Sequence, residues 1–177
     1  MIEKHKQLIK SIVDYPKKGI IFRDITPLLE NKNAFTECLS LLSELFLSME
    51  FNKIASIEAR GFLLGAALSQ SLNKDLVLLR KGGKLPRETF SQDYDLEYGT
   101  ATLEVHKDSL CAEDRVLIID DLLATGGTIE AAMKLINMSG AKSIAAAVLI
   151  NLPDLPGESL LKKHGIPLFK LFEFEGH

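Results

Sequence analysis

Two adjacent carboxylates, Asp120 and Asp121, stand at the end of an expected strand over residues 115–119 and, after Leu122-Leu123, lead into Ala124-Thr125-Gly126-Gly127-Thr128. The loop has the composition of an anion cradle. Glycines let the backbone turn its amides inward, a following helix N-terminus adds positive potential, and threonine hydroxyls donate to phosphate oxygens. It lacks the lysine of a Walker loop and is not a GxGxxG dinucleotide turn. The acids would repel the anion that the loop invites unless they face another part of the ligand. An ionised carboxylate only accepts hydrogen bonds, so hydroxyl groups are its natural partners, and it also suits a reaction that builds positive charge.

Two further stretches have the same arrangement, a strand end followed by charge. The first is Glu58-Ala59-Arg60-Gly61, after an apolar segment at 53–57, where an arginine beside a glycine suits a second anion. The second begins as a strand over 76–79 ends: Arg80, Lys81, Lys84 and Arg87 put four cations within eight residues of a chain whose net charge is −3. Gly82, Gly83 and Pro86 break regular structure there, and Asp93, Asp95 and Glu97 follow. A long polar stretch over 82–99 beside a phosphate site reads as a lid. Together the three strand ends imply a ligand with two separated phosphate groups and sugar hydroxyls between them.

These groups need a scaffold, and the rest of the chain supplies one. Leu8, Ile9, Ile12 and Val13 have helical spacing, which predicts a first helix closed by Pro16 and Gly19. A second amphipathic helix carries Phe35, Cys38, Leu39, Leu42, Leu45, Phe46 and Met49. Buried strands are expected at KIASIE, DLVLLR, RVLIID and SIAAAVLI, with period-2 strands at ATLEVH and LFKLFEFE. Helices are expected at GFLLGAALSQSL, TIEAAMKLINM and ESLLKKHG. Strands alternating with helices, most of the strands apolar throughout, define an α/β fold with a mostly parallel central sheet flanked by helices. In such sheets ligands sit beyond the carboxyl ends of the strands.

The 177 residues read as one domain, 46% hydrophobic and 25% charged, as in ordinary globular proteins. The negative net charge argues against nucleic-acid binding by bulk electrostatics. The charged N-terminus lacks the apolar core of a secretory signal, and no apolar run reaches the length of a membrane span. Cys38 and Cys111 belong to no metal-ligand cluster and read as reduced thiols, so a cytoplasmic protein is expected. The four histidines are scattered and suggest no metal site.

VLIIDDLLATGGT resembles the phosphoribosyl pyrophosphate (PRPP) motif of type I phosphoribosyltransferases, most closely those acting on adenine. PKKGIIFRDITPLL, EARGFLLGA, RKGGKLPRET, YDLEYGTATLEVH and FEFEGH follow in the same order and spacing, so the resemblance covers nearly the whole chain. It implies a single phosphoribosyltransferase domain over 1–177, with a small N-terminal hood and a flexible lid loop. It also implies transfer of ribose 5-phosphate from PRPP to adenine, giving AMP and pyrophosphate, in a purine-salvage homodimer that uses Mg²⁺ held mainly by substrate and water. By motif, Ala124, Thr125, Gly126, Gly127 and Thr128 would hold the 5-phosphate, and Asp120 and Asp121 the ribose hydroxyls. Arg60, Arg80, Lys81 and Lys84 would face pyrophosphate. Ile21, Phe22 and Arg23 would read and pack adenine, with Leu122 on the opposite ring face. Glu97 matches the lid glutamate that exchanges a proton with the purine, and Tyr98 accompanies it. Gly83 departs from the family pattern, where bulkier residues are common, and bears on lid stiffness. Transfer to hypoxanthine or xanthine, and a non-enzymatic PRPP-sensing regulator, are the alternative readings.

Overall fold

The computed structural model describes residues 2–95 and 99–176. Its order is α1 (Glu3–Lys6), β1 (Lys10–Val13), β2 (Ile21–Asp24), α2 (Thr26–Glu30), α3 (Lys32–Phe46), β3 (Lys53–Ile57), α4 (Gly61–Leu72), β4 (Asp75–Lys81) and β5 (Thr89–Asp95). Then follow β6 (Thr100–His106), β7 (Arg115–Leu123), α5 (Gly127–Met138), β8 (Lys142–Asn151), α6 (Gly157–Lys163) and β9 (Leu168–Glu173).

The main sheet has seven strands in the order β5-β6-β4-β3-β7-β8-β9. From β4 to β9 neighbouring strands are parallel, whereas β6 pairs antiparallel with both β4 and β5. Alternate residues of the central strands enter different cores, one on each face of the sheet. Ile54, Leu117, Ile119 and Ala147 pack against α3 and α4 through Cys38, Leu42, Leu64 and Leu68. Ala55, Ile57, Val116, Ile118 and Val148 pack against α5 through Ile129, Ala132 and Ile136. This two-sided burial explains why β7 and β8 are apolar almost throughout. Helix α3 starts where the Asn31 side chain accepts the Ala34 N–H at 3.1 Å, a side-chain N-cap. Burial pushes the Cys38 thiol up to about 11, and both cysteines are unpaired. Among the described residues no helix is long and apolar enough to cross a membrane.

Four local expectations need correction. The helix expected over Leu8–Val13 is instead the short α1 followed by β1, which pairs antiparallel with β2. All four residues of β1 are exposed, so Leu8 and Ile9 reach a core but Ile12 and Val13 do not. The polar stretch 82–99 contains a strand, β5, paired along its length with β6. Its signal was a period of two: Phe90 and Tyr94 pack on the α5-side core, while Ser91, Asp93 and Asp95 are exposed. Strand β4 is not fully buried, since Leu76 and Leu78 are 37% and 40% exposed. Finally, β7 does not end before the acids; Asp120 is in register with Val148, and pairing runs on to Leu123.

The β1–β2 pair forms a separate two-stranded sheet, the small N-terminal hood expected from the resemblance.

Candidate functional site

A cavity of about 370 Å³ opens where β3, β4 and β7 end, with Glu58, Arg60, Lys81, Asp120 and Asp121 among its walls. Parallel pairing with β3 in the centre explains the convergence: β4 and β7 flank it and deliver Lys81 and the acid pair beside Glu58 and Arg60.

The acid pair sits inside the end of a strand. Asp120 is 9% exposed and Asp121 5%. Asp121 donates its backbone N–H to Asp120 Oδ1 at 2.9 Å, and Arg60 Nε donates to Asp121 Oδ2. Burial first, and the neighbouring Asp121 charge second, hold the Asp120 carboxyl well above the usual carboxylate range. A Cβ on Gly61 would lie 3.1 Å from both Asp120 Cα and Oδ1, so this glycine serves the close approach of α4 to β7.

The phosphate-type loop has the local form its sequence suggested. Gly126 has φ +90°, a conformation in which L side chains are strained, and α5 begins at Gly127. Ala124, Thr125, Gly126 and Thr128 line the cavity together with the first turn of α5, whose free amides and dipole favour an anion. Gly127 is not among the lining residues; a Cβ there would meet the Asp95 carbonyl at 3.0 Å, so its smallness admits β5.

The cations separate into two sets. Arg60 and Lys81 line the cavity, whereas Arg80 and Lys84 reach its wall through Glu58, at 3.2 Å and 3.7 Å. Burial opposes charge on Glu58, but the Lys81 N–H, Arg80 and Lys84 together outweigh it and hold the carboxyl below its ordinary range. Sequence reasoning assigned no role to Glu58, although it stands at the end of β3 two residues before Arg60. It also passed over Tyr94, which lines the cavity from β5 as Thr128 does from α5.

A second cleft of about 150 Å³ adjoins the first, under the hood. Ile20, Ile21, Phe22 and Leu152 make it apolar, and Arg60, Leu122 and Ala124 line both cavities. Phe22 is held edge-on by Tyr15 at 5.3 Å, and the Arg60 guanidinium lies 5.0 Å from its ring. Arg23 also contributes to the cleft, but its guanidinium is committed elsewhere. It donates to Ser11 Oγ, to the Glu175 carbonyl at 2.7 Å and to the Gly176 carbonyl at 2.9 Å, over the Phe174 ring at 4.8 Å. The side chain therefore ties the hood to the C-terminal segment. Ile20 and Leu152 were not singled out in the sequence. Glu97 and Tyr98 lie outside the described residues.

The family model of the phosphoribosyl transferase domain aligns with residues 24–166, a span that includes the acid pair, the loop after it and the cationic turn. The chain belongs to that family. Within it, the chain is 53% identical over 172 residues to the adenine phosphoribosyltransferase of Yersinia pestis (strain Pestoides F), covering 97% of this chain and 92% of that one. The crystal structure of adenine phosphoribosyltransferase from Thermoanaerobacter pseudethanolicus superposes with a TM-score of 0.94 at 45% identity, covering 98% of this chain and 100% of that one. The Giardia lamblia enzyme, complexed with 9-deazaadenine, gives 0.94 at 35% identity over 98% and 97% of the two chains.

Proposed function

We propose that the chain transfers ribose 5-phosphate from PRPP to adenine, forming AMP and pyrophosphate in purine salvage. The observation that carries this reading is the shared wall of the two cavities at Arg60, Leu122 and Ala124. A sugar phosphate seated in the larger cavity presents its reacting carbon toward the apolar slot. Support for the base comes from the relatives, all adenine phosphoribosyltransferases, one of them complexed with an adenine analogue.

In this arrangement the loop 124–128 and the start of α5 hold the 5-phosphate, and Asp120 and Asp121 accept the ribose hydroxyls. Phe22 and Leu122 pack the purine, with the backbone of Ile21 to Arg23 along its edge. As the bond from ribose to pyrophosphate breaks, positive charge develops on the sugar, which the carboxylates stabilise more than they stabilise the ground state. Arg60, Lys81, Arg80 and Lys84 meet the negative charge on the leaving group. Glu97 exchanges the purine proton, with Tyr98 beside it.

The residues present fit Mg²⁺. It binds oxygen, keeps several waters and needs only one or two carboxylates beside substrate phosphates. Asp120 and Asp121 supply such oxygens, and among the described residues no cluster of three or more metal-ligating side chains exists to form a full cage. When bound, the ion supplies neutralisation of phosphate charge.

The same reading makes the chain one catalytic domain, cytoplasmic and homodimeric. Leu63 on α4 with Leu76 and Leu78 on β4 offers exposed apolar surface suited to a second copy.

The test is AMP formation from adenine, PRPP and Mg²⁺, with hypoxanthine and xanthine as competing bases. Absence of AMP, or faster reaction with another base, would overturn the assignment.

A further inference from the structure

Three residues of the cationic wall, Arg80, Lys81 and Lys84, meet one carboxylate, Glu58, whereas Arg60 pairs with Asp121. We infer that Glu58 is a positioning residue, whose side chain clamps the end of β4 and the turn after it so that Arg80, Lys81 and Lys84 act as one unit toward the leaving pyrophosphate. The inference rests on the leaving-group side proposed above.

Glu58 is the first residue beyond β3, and its backbone N–H donates to the Leu79 carbonyl at 2.9 Å, extending the tie to β4 past the strand itself. Its side chain, only 10% exposed, then uses both oxygens. Oε2 accepts the Lys81 N–H at 2.9 Å and Arg80 Nε at 3.2 Å; Oε1 faces Arg80 Nη2 at 3.5 Å and Lys84 Nζ at 3.7 Å. Arg80 Nη1 closes the ring by donating to the Lys84 carbonyl at 3.2 Å.

The turn after β4 is built on two glycines. Gly82 and Gly83 separate Lys81 from Lys84, and Gly83 has φ +76°. On the far side β6 holds the backbone, pairing with Arg80 and Lys81 and taking the Gly82 N–H on the Thr102 carbonyl at 2.9 Å and the Gly83 N–H on the Glu104 carboxylate at 3.0 Å. What is left to Glu58 is the placement of the cationic side chains. Electrostatics argues the same way. A carboxylate on the wall of a polyanion site repels the ligand, so Glu58 helps only if fixing two cations outweighs the charge it cancels. One carboxylate against Arg80 and Lys84 leaves a net positive cluster, and the cations lose less freedom on binding because they are already placed. Glu58 is ionised at neutral pH, its carboxyl held below the ordinary range against the effect of burial.

Calorimetric titration of the parent protein, Glu58→Gln and Glu58→Asp with AMP and, separately, with pyrophosphate plus Mg²⁺ tests the assignment. Gln can still accept the Lys81 N–H but cannot hold two cations. Its AMP affinity should stay within about twofold of the parent, while pyrophosphate binds about tenfold or more weakly, the scale of one lost charge-assisted contact. Asp, which keeps the charge at shorter reach, should recover part of the loss. Equal or tighter pyrophosphate binding by Glu58→Gln overturns the inference, making Glu58 a bystander or an electrostatic brake. A parallel loss of AMP affinity overturns it too, as general damage to the fold. A parent protein that binds neither ligand overturns the functional reading, and the inference with it.

Discussion

Replacing Gly157 by alanine should damage the phosphate loop from outside, although Gly157 lies far from that loop in sequence. Gly157 opens α6 and donates its N–H to the Ala124 carbonyl at 3.1 Å. A Cβ there would stand 2.3 Å from that carbonyl oxygen and 2.8 Å from Leu123 Cδ1. The carbonyl is backbone and cannot swing aside, so loop and helix must part by about 1 Å to reach ordinary contact. Overpacking of this kind costs about 1–3 kcal/mol, and a stretched hydrogen bond adds about 0.5–1.5 kcal/mol. The helix preference of alanine over glycine returns at most about 1 kcal/mol. The net loss of about 0.5–4.5 kcal/mol lowers Tm by about 1–18 °C for a chain of this size. Gly126 feels the same shift, because its own Cβ position lies 3.0 Å from Gly157 Cα. With the loop displaced, at least one charge-assisted hydrogen bond to phosphate is lost, and AMP binds about 10–100-fold more weakly. Scanning calorimetry gives the first quantity and titration with AMP the second. Lys163→Ala, an exposed change on the same helix, should leave both unaltered. A Gly157→Ala protein with the parent's Tm and AMP affinity would refute the reasoning.

Asp120→Asn should stabilise the empty protein while slowing turnover. Because burial raises the Asp120 carboxyl above its unfolded value, the folded state keeps a proton that the unfolded chain releases, and stability falls as pH rises through that window. The variant should therefore melt higher than the parent at pH 8, with the gap closing toward pH 4; a pH-independent gap contradicts the assignment. Glu97→Gln should bind PRPP normally yet turn over about 10²–10⁴-fold more slowly, and a parent-like single-turnover rate would make Glu97 a bystander. Tyr94→Phe keeps the ring on the core and removes only a hydroxyl at the cavity wall, so stability should change by about 0.5 kcal/mol or less. AMP affinity should stay within about twofold of the parent, and a larger loss would show that the hydroxyl itself holds the ligand.

The parts of the site that could be read from the chain alone are those built from neighbouring residues. Asp120, Asp121 and the loop 124–128 are contiguous, and a glycine-rich turn between an apolar strand and a helix already has the local form of an anion cradle. The parallel sheet was equally legible, because strands buried on both faces must be apolar at successive positions, as β7 and β8 are. Only the folded chain decided the rest, because the deciding contacts join residues far apart in sequence. Arg23 reads from its motif as part of the base-binding segment, and only the fold shows its guanidinium donating to the Glu175 and Gly176 carbonyls. Gly127 reads from its motif as a phosphate glycine, and only the fold adds a second demand on it, the Asp95 carbonyl that β5 places 3.0 Å from where a Cβ would stand. The spacing of Leu8, Ile9, Ile12 and Val13 satisfies a helix, but Ile12 and Val13 meet no core and β2 offers backbone partners, so the segment from Lys10 pairs as a strand. Side-chain type and local order set what each residue can do, and the topology of the sheet set which distant groups it meets.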